Sequence, residues 1–113
     1  MPECIFCKIV AGEIPATLVY QDDQVLAFED LNPHAPTHVL IIPRKHLASL
    51  NEATPEDEGV IGHMHLIAAK IAGMRNIASG YRTVFNNGPG AGQTVFHLHL
   101  HVLGGRLLTW PPG

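Results

Sequence analysis

Charged side chains are scarce in this 113-residue chain, at 15% of the total, and neither sign dominates. Seven Lys and Arg stand against ten Asp and Glu, a formal net charge of −3. The missing basic excess excludes the electrostatic footprint of a nucleic-acid-binding protein or of a protein held on an anionic membrane surface. Cysteine is almost absent: Cys4 and Cys7 are the only two, too few for the disulfide framework of a small secreted domain. Apolar runs are short. Residues 39–42 form one of four, far below the roughly 20 residues that span a bilayer. The opening Met-Pro-Glu-Cys-Ile-Phe-Cys-Lys has no basic stretch leading into an apolar one, so no signal peptide is expected. These absences predict a soluble, cytoplasmic protein in a reducing compartment. With no repeat and no linker, one domain over residues 1–113 is expected.

What the chain does have is apolar residues, 46% of the total, enough for a core and against disorder. Residues 17–20 and 25–30 read as two short strands joined by the polar turn Gln21-Asp22-Asp23-Gln24. Residues 32–36 hold two prolines and read as a loop, and 38–42 are a third strand closed by Pro43. Thr54-Pro55-Glu56-Asp57 has the chemistry of a helix start. Val60, Met64, Ile67, Ile71 and Met74 then recur at helical spacing, one apolar face of a helix reaching about Arg75. Residues 81–86 read as a strand, 87–92 as a glycine-rich loop, and 95–103 as the last strand. This order predicts an α+β fold, an antiparallel sheet with one main helix packed on it.

There are eight histidines, and three of them alternate in His97-Leu98-His99-Leu100-His101-Val102. In a strand such alternation puts the imidazoles on one face and the apolar side chains on the other. Two chemistries suit the row: a metal site, or phosphoryl chemistry with a neutral imidazole as nucleophile and a neighbour as proton donor. The preceding loop, Asn87-Gly88-Pro89-Gly90-Ala91-Gly92, favours the second. Glycines let backbone N–H groups approach an anion, and Gln93 and Thr94 add side-chain donors. It is not a Walker loop, because no Gly-Lys-Ser/Thr follows. His34, His63 and His65 read as solvated.

The row resembles the His-φ-His-φ-His-φ-φ signature (φ apolar) of the histidine triad superfamily. The similarity extends to residues 5–9, 13–16, 27–30, 35–38, 42–43 and 92–96. The ending, Gly104-Gly105-Arg106 with Trp110-Pro111-Pro112-Gly113, is similar to the Hint branch of nucleoside phosphoramidases. That resemblance implies hydrolysis of purine nucleoside 5′-phosphoramidates to a nucleoside monophosphate (AMP or GMP) and an amine. His99 would be the nucleophile, its Nδ1–H held by the His97 carbonyl, with a nucleotidyl-histidine intermediate. His101 would assist the leaving amine, and His38 would support the triad. Asn86, Gly92 and Thr94 would hold the phosphate and leaving group, and Asp30 the ribose hydroxyls. Phe6, Ile9, Phe28, Leu31 and Leu40 would line the base slot. The resemblance also implies a two-fold homodimer with the two sheets joined, Trp110 reaching toward the partner's site. Alternatives are a dinucleoside polyphosphate hydrolase or nucleotidyl transferase of the same superfamily, a nucleotide-binding scaffold, and a zinc hydrolase using the triad as ligands.

Cys4-Ile5-Phe6-Cys7 is half a zinc site. Some triad proteins complete it with a histidine from a Pro-x-x-His turn and the first triad histidine. Here Pro43-Arg44-Lys45-His46 and His97 match, so the resemblance implies a structural zinc on Cys4, Cys7, His46 and His97 and no cofactor for catalysis. Two free thiols or a redox pair are the alternatives.

Overall fold

The computed structural model describes residues 3–113. Five strands, β1 (Leu18–Gln21), β2 (Val25–Glu29), β3 (Thr37–Pro43), β4 (Tyr81–Val84) and β5 (Leu100–Gly104), form one antiparallel sheet in the order β1-β2-β3-β5-β4. The long helix α2 (Glu58–Met74) crosses between β3 and β4, and a short helix α1 (Ile5–Val10) precedes the sheet. The expected α+β architecture is present.

Period-two alternation explains the two faces. Val25 and Ala27 of β2, Val39 and Ile41 of β3, and Leu100 and Val102 of β5 share one face, which buries Met64, Ile67, Ala68 and Ile71 of α2. The opposite face carries Leu26, Phe28, Leu40 and Ile42, covered by Phe6 of α1. Leu98, Leu100 and Val102 all enter the helix-side core, so the histidines between them face the other way.

Several boundaries differ from expectation. The last strand is shorter than residues 95–103. Its pairing with β3 begins at Leu100, opposite Ile41. Beyond Ile41 the neighbour is soon Pro43, which has no N–H for the ladder, and its carbonyl is taken by the His97 ring, 2.8 Å away. Residues 95–99 therefore alternate like a strand without pairing as one. Met74, expected on the buried face of α2, is 53% exposed; Ala68 and Ala72 are buried instead, small side chains that let the helix approach the sheet. The expected cap is present one turn early: Thr54 caps a 3-10 turn, Pro55–Asp57, with Asp57 accepting from the Thr54 N–H at 2.9 Å, and α2 follows at Glu58. α1 was not expected. Cys4 caps it, Sγ accepting from the Cys7 N–H at 3.3 Å.

His63 is not a solvated histidine. Its Nε2 lies 2.6 Å from Oδ2 of Asp22 in the β1–β2 turn, and the same carboxylate accepts from Tyr20 and from the N–H groups of Gln24 and Val25. Burial pushes the Asp22 carboxyl up, but the hydrogen bonds from His63, Gln24, Tyr20 and Val25 outweigh it and hold it well below the usual carboxylate range. His34 and His65 are exposed, as expected.

Candidate active site and metal centre

On the face away from α2, the sheet register sets the site. Phe28 pairs with Leu40, and Leu40 pairs with His101. One step along, the Asp30 N–H donates to the His38 carbonyl at 3.0 Å. His38 lies diagonally across from His101 on the same face, within reach of a side chain. The two imidazoles meet, His38 Nε2 to His101 Nδ1, at 2.9 Å.

The hydrogen bonds dictate where each neutral ring keeps its proton. His38 Nδ1 accepts from the His34 N–H at 3.0 Å, so the His38 proton sits on Nε2. That proton points at His101 Nδ1, and the Asp30 carboxylate lies 3.3 Å from His38 Nε2. His101 therefore keeps its own proton on Nε2. His99 Nδ1–H donates to the His97 carbonyl at 2.8 Å, which leaves His99 Nε2 as a free lone pair. His97 Nε2–H donates to Pro43 O, which turns its Nδ1 lone pair toward Cys4 and Cys7. The His99 and His101 ring centroids are 5.0 Å apart, a free ring-nitrogen lone pair beside an N–H donor.

Electrostatics favour the neutral form of His101, His97 and His38. Burial, then the neighbouring His99 and His38, pulls His101 down to about 4. Burial also lowers His97 to about 4, the hydrogen bond to Pro43 opposing it, and lowers His38 against the pull of Asp30.

His99 and His101 help line a slot of about 260 Å³, with Phe6, Ile9, Phe28, Glu29, Asp30, Leu31, Leu40 and Thr94. The structure thus brings together every base-slot residue expected from the sequence, though Leu31 is a rim residue at 97% exposure. Ile5, Pro15, Ala16, Thr17 and Val95 also line the slot. Ile5, Pro15, Ala16 and Val95 lie within the segments similar to the family and only Thr17 outside them, but as apolar or small side chains none carried a chemical signal of its own.

Three expected anion-binding residues sit elsewhere. Asn86 lines a separate groove with Arg82, Phe85 and Trp110. Gly92 is outside the slot, and the N–H groups of Ala91, Gly92 and Gln93 are spent inside the loop on Gly88 and Pro89 carbonyls. Gly88 and Gly92 hold this tight turn at φ +88° and +89°, which favours glycine. The expected Gln93 donor is buried: Oε1 accepts from Gly88 N–H, while Nε2 donates to the Ala48 and Val95 carbonyls at 2.7 and 3.0 Å. Its amide locks the loop to the chain entering the triad, because a buried amide must satisfy all its groups. Trp110 is 80% exposed with the Arg82 guanidinium over its ring.

Cys4, Cys7, His46 and His97 form a second constellation. The Sγ–Nδ1 distances are 3.4 Å for Cys4–His97, 3.5 Å for Cys7–His97 and 3.3 Å for Cys7–His46, and the two Nδ1 atoms are 3.2 Å apart. A tetrahedron with ordinary Zn–S and Zn–N bonds has S–N and N–N edges of about 3.5 and 3.3 Å. The donor set fits zinc in chemistry and size, and the His97–Pro43 hydrogen bond is the outer support such a ligand needs. Asp30, His38 and His101 also cluster but do not fit. The His38 Nε2 there must carry a proton, since its Nδ1 already accepts one.

Comparison with known proteins agrees with this geometry. A HIT domain model matches residues 11–108. The chain is 56% identical over 111 residues to an uncharacterized HIT-like protein of Synechocystis sp., covering 98% of this chain and 97% of that one. It is 47% identical over 111 residues to a 14 kDa zinc-binding protein of Zea mays, covering 96% and 87%. The crystal structure of a HIT family hydrolase from Legionella pneumophila superposes with a TM-score of 0.96 at 51% identity, covering 98% of this chain and all of that one. With the alternating histidines, the sheet that presents them and near full-length similarity all in agreement, the chain belongs to the HIT family.

Proposed function

We propose that this protein is a hydrolase of purine nucleoside 5′-phosphoramidates, working through a nucleotidyl intermediate on His99. One observation carries the reading: His99 Nδ1–H is held by the His97 carbonyl at 2.8 Å, so a neutral Nε2 faces the slot beside a His101 whose Nε2 is protonated. A phosphoramidate nitrogen must gain a proton before it departs, and His101 supplies a donor where a nucleophile already stands. Beside the anionic phosphate His101 takes up a proton from solvent; His99 Nε2 then forms a bond to the α-phosphorus, the P–N bond breaks, and the amine leaves with the proton from His101, which returns to its neutral form. Water then cleaves the histidine–phosphorus bond. The sum is phosphoramidate plus water giving nucleoside monophosphate plus amine. The hydrolase name of the Legionella relative supports the same class.

In this reading the apolar walls, Phe6, Ile9, Phe28, Leu31 and Leu40, take the base, and Asp30 accepts from the ribose hydroxyls. Thr94 donates to the phosphate. Asn86 and Gly92, outside the slot, serve the leaving-group side with Trp110. His38 orients His101. Zinc, when bound by Cys4, Cys7, His46 and His97, supplies a cross-link and no chemistry at the phosphorus; the zinc-binding maize relative supports this assignment.

A homodimer suits the exposed surface. β4 is an edge strand. On α2, Leu66 is exposed, and a Cβ added at Gly59, Gly62 or Gly73 would meet nothing within 4 Å. Helical glycine costs about 1 kcal/mol against alanine, and close approach of a second helix is a reason to keep it. No helix among the described residues is long and apolar enough to cross a membrane, and a reducing cytoplasm suits two free thiols.

The test is rapid-quench mass spectrometry with adenosine 5′-phosphoramidate. Wild type should release AMP and carry a transient nucleotidyl adduct, and His99→Ala should do neither. Undiminished turnover in His99→Ala overturns the reading.

A further inference from the structure

α1 serves two masters. Cys4 and Cys7, at its start and in its first turn, point to His46 and His97. Ile5, Phe6 and Ile9, from the same segment, form one wall of the slot. Phe6 lies between them: its ring stands edge-on to His97, His99 and Phe28, at centroid distances of 6.0, 5.2 and 5.4 Å.

What holds this wall in place is narrow. The main-chain hydrogen bonds of residues 4–13 are all local. Among the described residues, the only polar links from this segment to the rest of the protein run through the two thiols to His46 and His97. Beyond them there is the apolar seat of Phe6 with Ile9 and Val10. A helix of six residues has no stability of its own, so its position depends on those anchors. The other wall, on β2 and β3, belongs to the sheet and needs no such tether.

We propose that the metal centre and the base slot are one thermodynamic unit. A metal ion on Cys4, Cys7, His46 and His97 clamps α1 and preforms the slot, and a nucleotide seated against Phe6 and Ile9 tightens the hold on the metal. The inference rests on the nucleotide reading of the slot. His97 adds a second route, since the residue that offers its ring to the metal offers its carbonyl to His99. Coupling between two binding sites is reciprocal: each ligand must change the other's affinity by the same factor, commonly about 5- to 150-fold.

The experiment uses zinc and AMP. Zinc affinity of the full chain is measured by competition with a chromophoric chelator, with and without saturating AMP, subtracting the zinc that AMP alone holds. AMP affinity of the zinc-loaded and zinc-stripped protein is measured by calorimetry. Both should shift by the same factor, of about tenfold. In the stripped protein, amide exchange should accelerate in residues 5–10 while β2, β3 and β5 stay protected. Phe6→Leu should still bind zinc, because every ligand remains, but with a smaller shift on adding AMP. The chelator assay starts from loaded protein, so it decides the matter even if stripped protein unfolds. Equal zinc affinity with and without AMP overturns the coupling alone. Failure of AMP to bind the zinc-loaded protein overturns the nucleotide reading and the coupling with it.

Discussion

His99 and His97 are joined through two different parts of the second residue. The His97 carbonyl accepts from His99 Nδ1 at 2.8 Å, while the His97 ring, anchored through Nε2 to Pro43 O, turns Nδ1 to the cysteines. A single residue thus sets the tautomer of the proposed nucleophile and completes the Cys4, Cys7, His46 and His97 cluster. An antiparallel neighbour of ordinary strand geometry would have claimed the carbonyl. It is free because pairing with β3 starts only at Leu100.

His101→Ala should lower phosphoramidate turnover by about 10²- to 10⁴-fold, the usual worth of a general acid, while AMP affinity changes far less. Single-turnover kinetics with calorimetry of AMP would check it. Substrates whose leaving group needs no proton should suffer least.

Acid should weaken the fold over a definite window. Burial, with His99 and His38 nearby, lowers His101 from 6.5 to about 4, and burial lowers His38 in the same direction. Between those values the unfolded chain binds more protons than the folded one, so stability rises with pH. It is fully present above about pH 6.5 and is lost as pH falls toward about 4. Urea midpoints across this window should show the slope, and His101→Gln should make it shallower. An unchanged slope would remove His101 from the account.

Gln93→Ala should destabilise by about 1–2 kcal/mol, because it removes a buried amide and leaves the half-buried Gly88 N–H and Ala48 and Val95 carbonyls without their partner. Equilibrium urea unfolding measures this. A phosphate ligand would behave oppositely, raising KM with stability unchanged.

Metal analysis of the purified protein should give one zinc per chain. His46→Ala should lower that occupancy sharply and Asp30→Ala should leave it alone. A second zinc lost in Asp30→Ala would contradict the proton assigned to His38 Nε2.

Leu66→Arg should convert a wild-type dimer to monomer in sedimentation velocity, since Leu66 is 71% exposed on the same helix as three glycines with open space around them. A monomeric wild type would rule the dimer out.

Alternation, helical spacing and motif order are local properties, and they carried the sheet, the main helix and the separation of Leu98, Leu100 and Val102 from His97, His99 and His101. The set Cys4, Cys7, His46 and His97 came instead from the family resemblance, and the fold brings its ligand atoms within 4.8 Å of one another. What those local properties could not carry was the partner of each polar group. Gln93 beside a glycine-rich loop reads as a donor to an anion, yet three backbone groups from 88, 48 and 95 claim it. His63 reads as solvated until Asp22, 41 positions away, arrives at 2.6 Å. The protonated nitrogen of each imidazole, the length of β5 and the tether of α1 were likewise decided only in the folded chain. A side chain's type is fixed by the sequence, but the occupant of its hydrogen bonds is fixed by whichever distant group the packing leaves unsatisfied beside it.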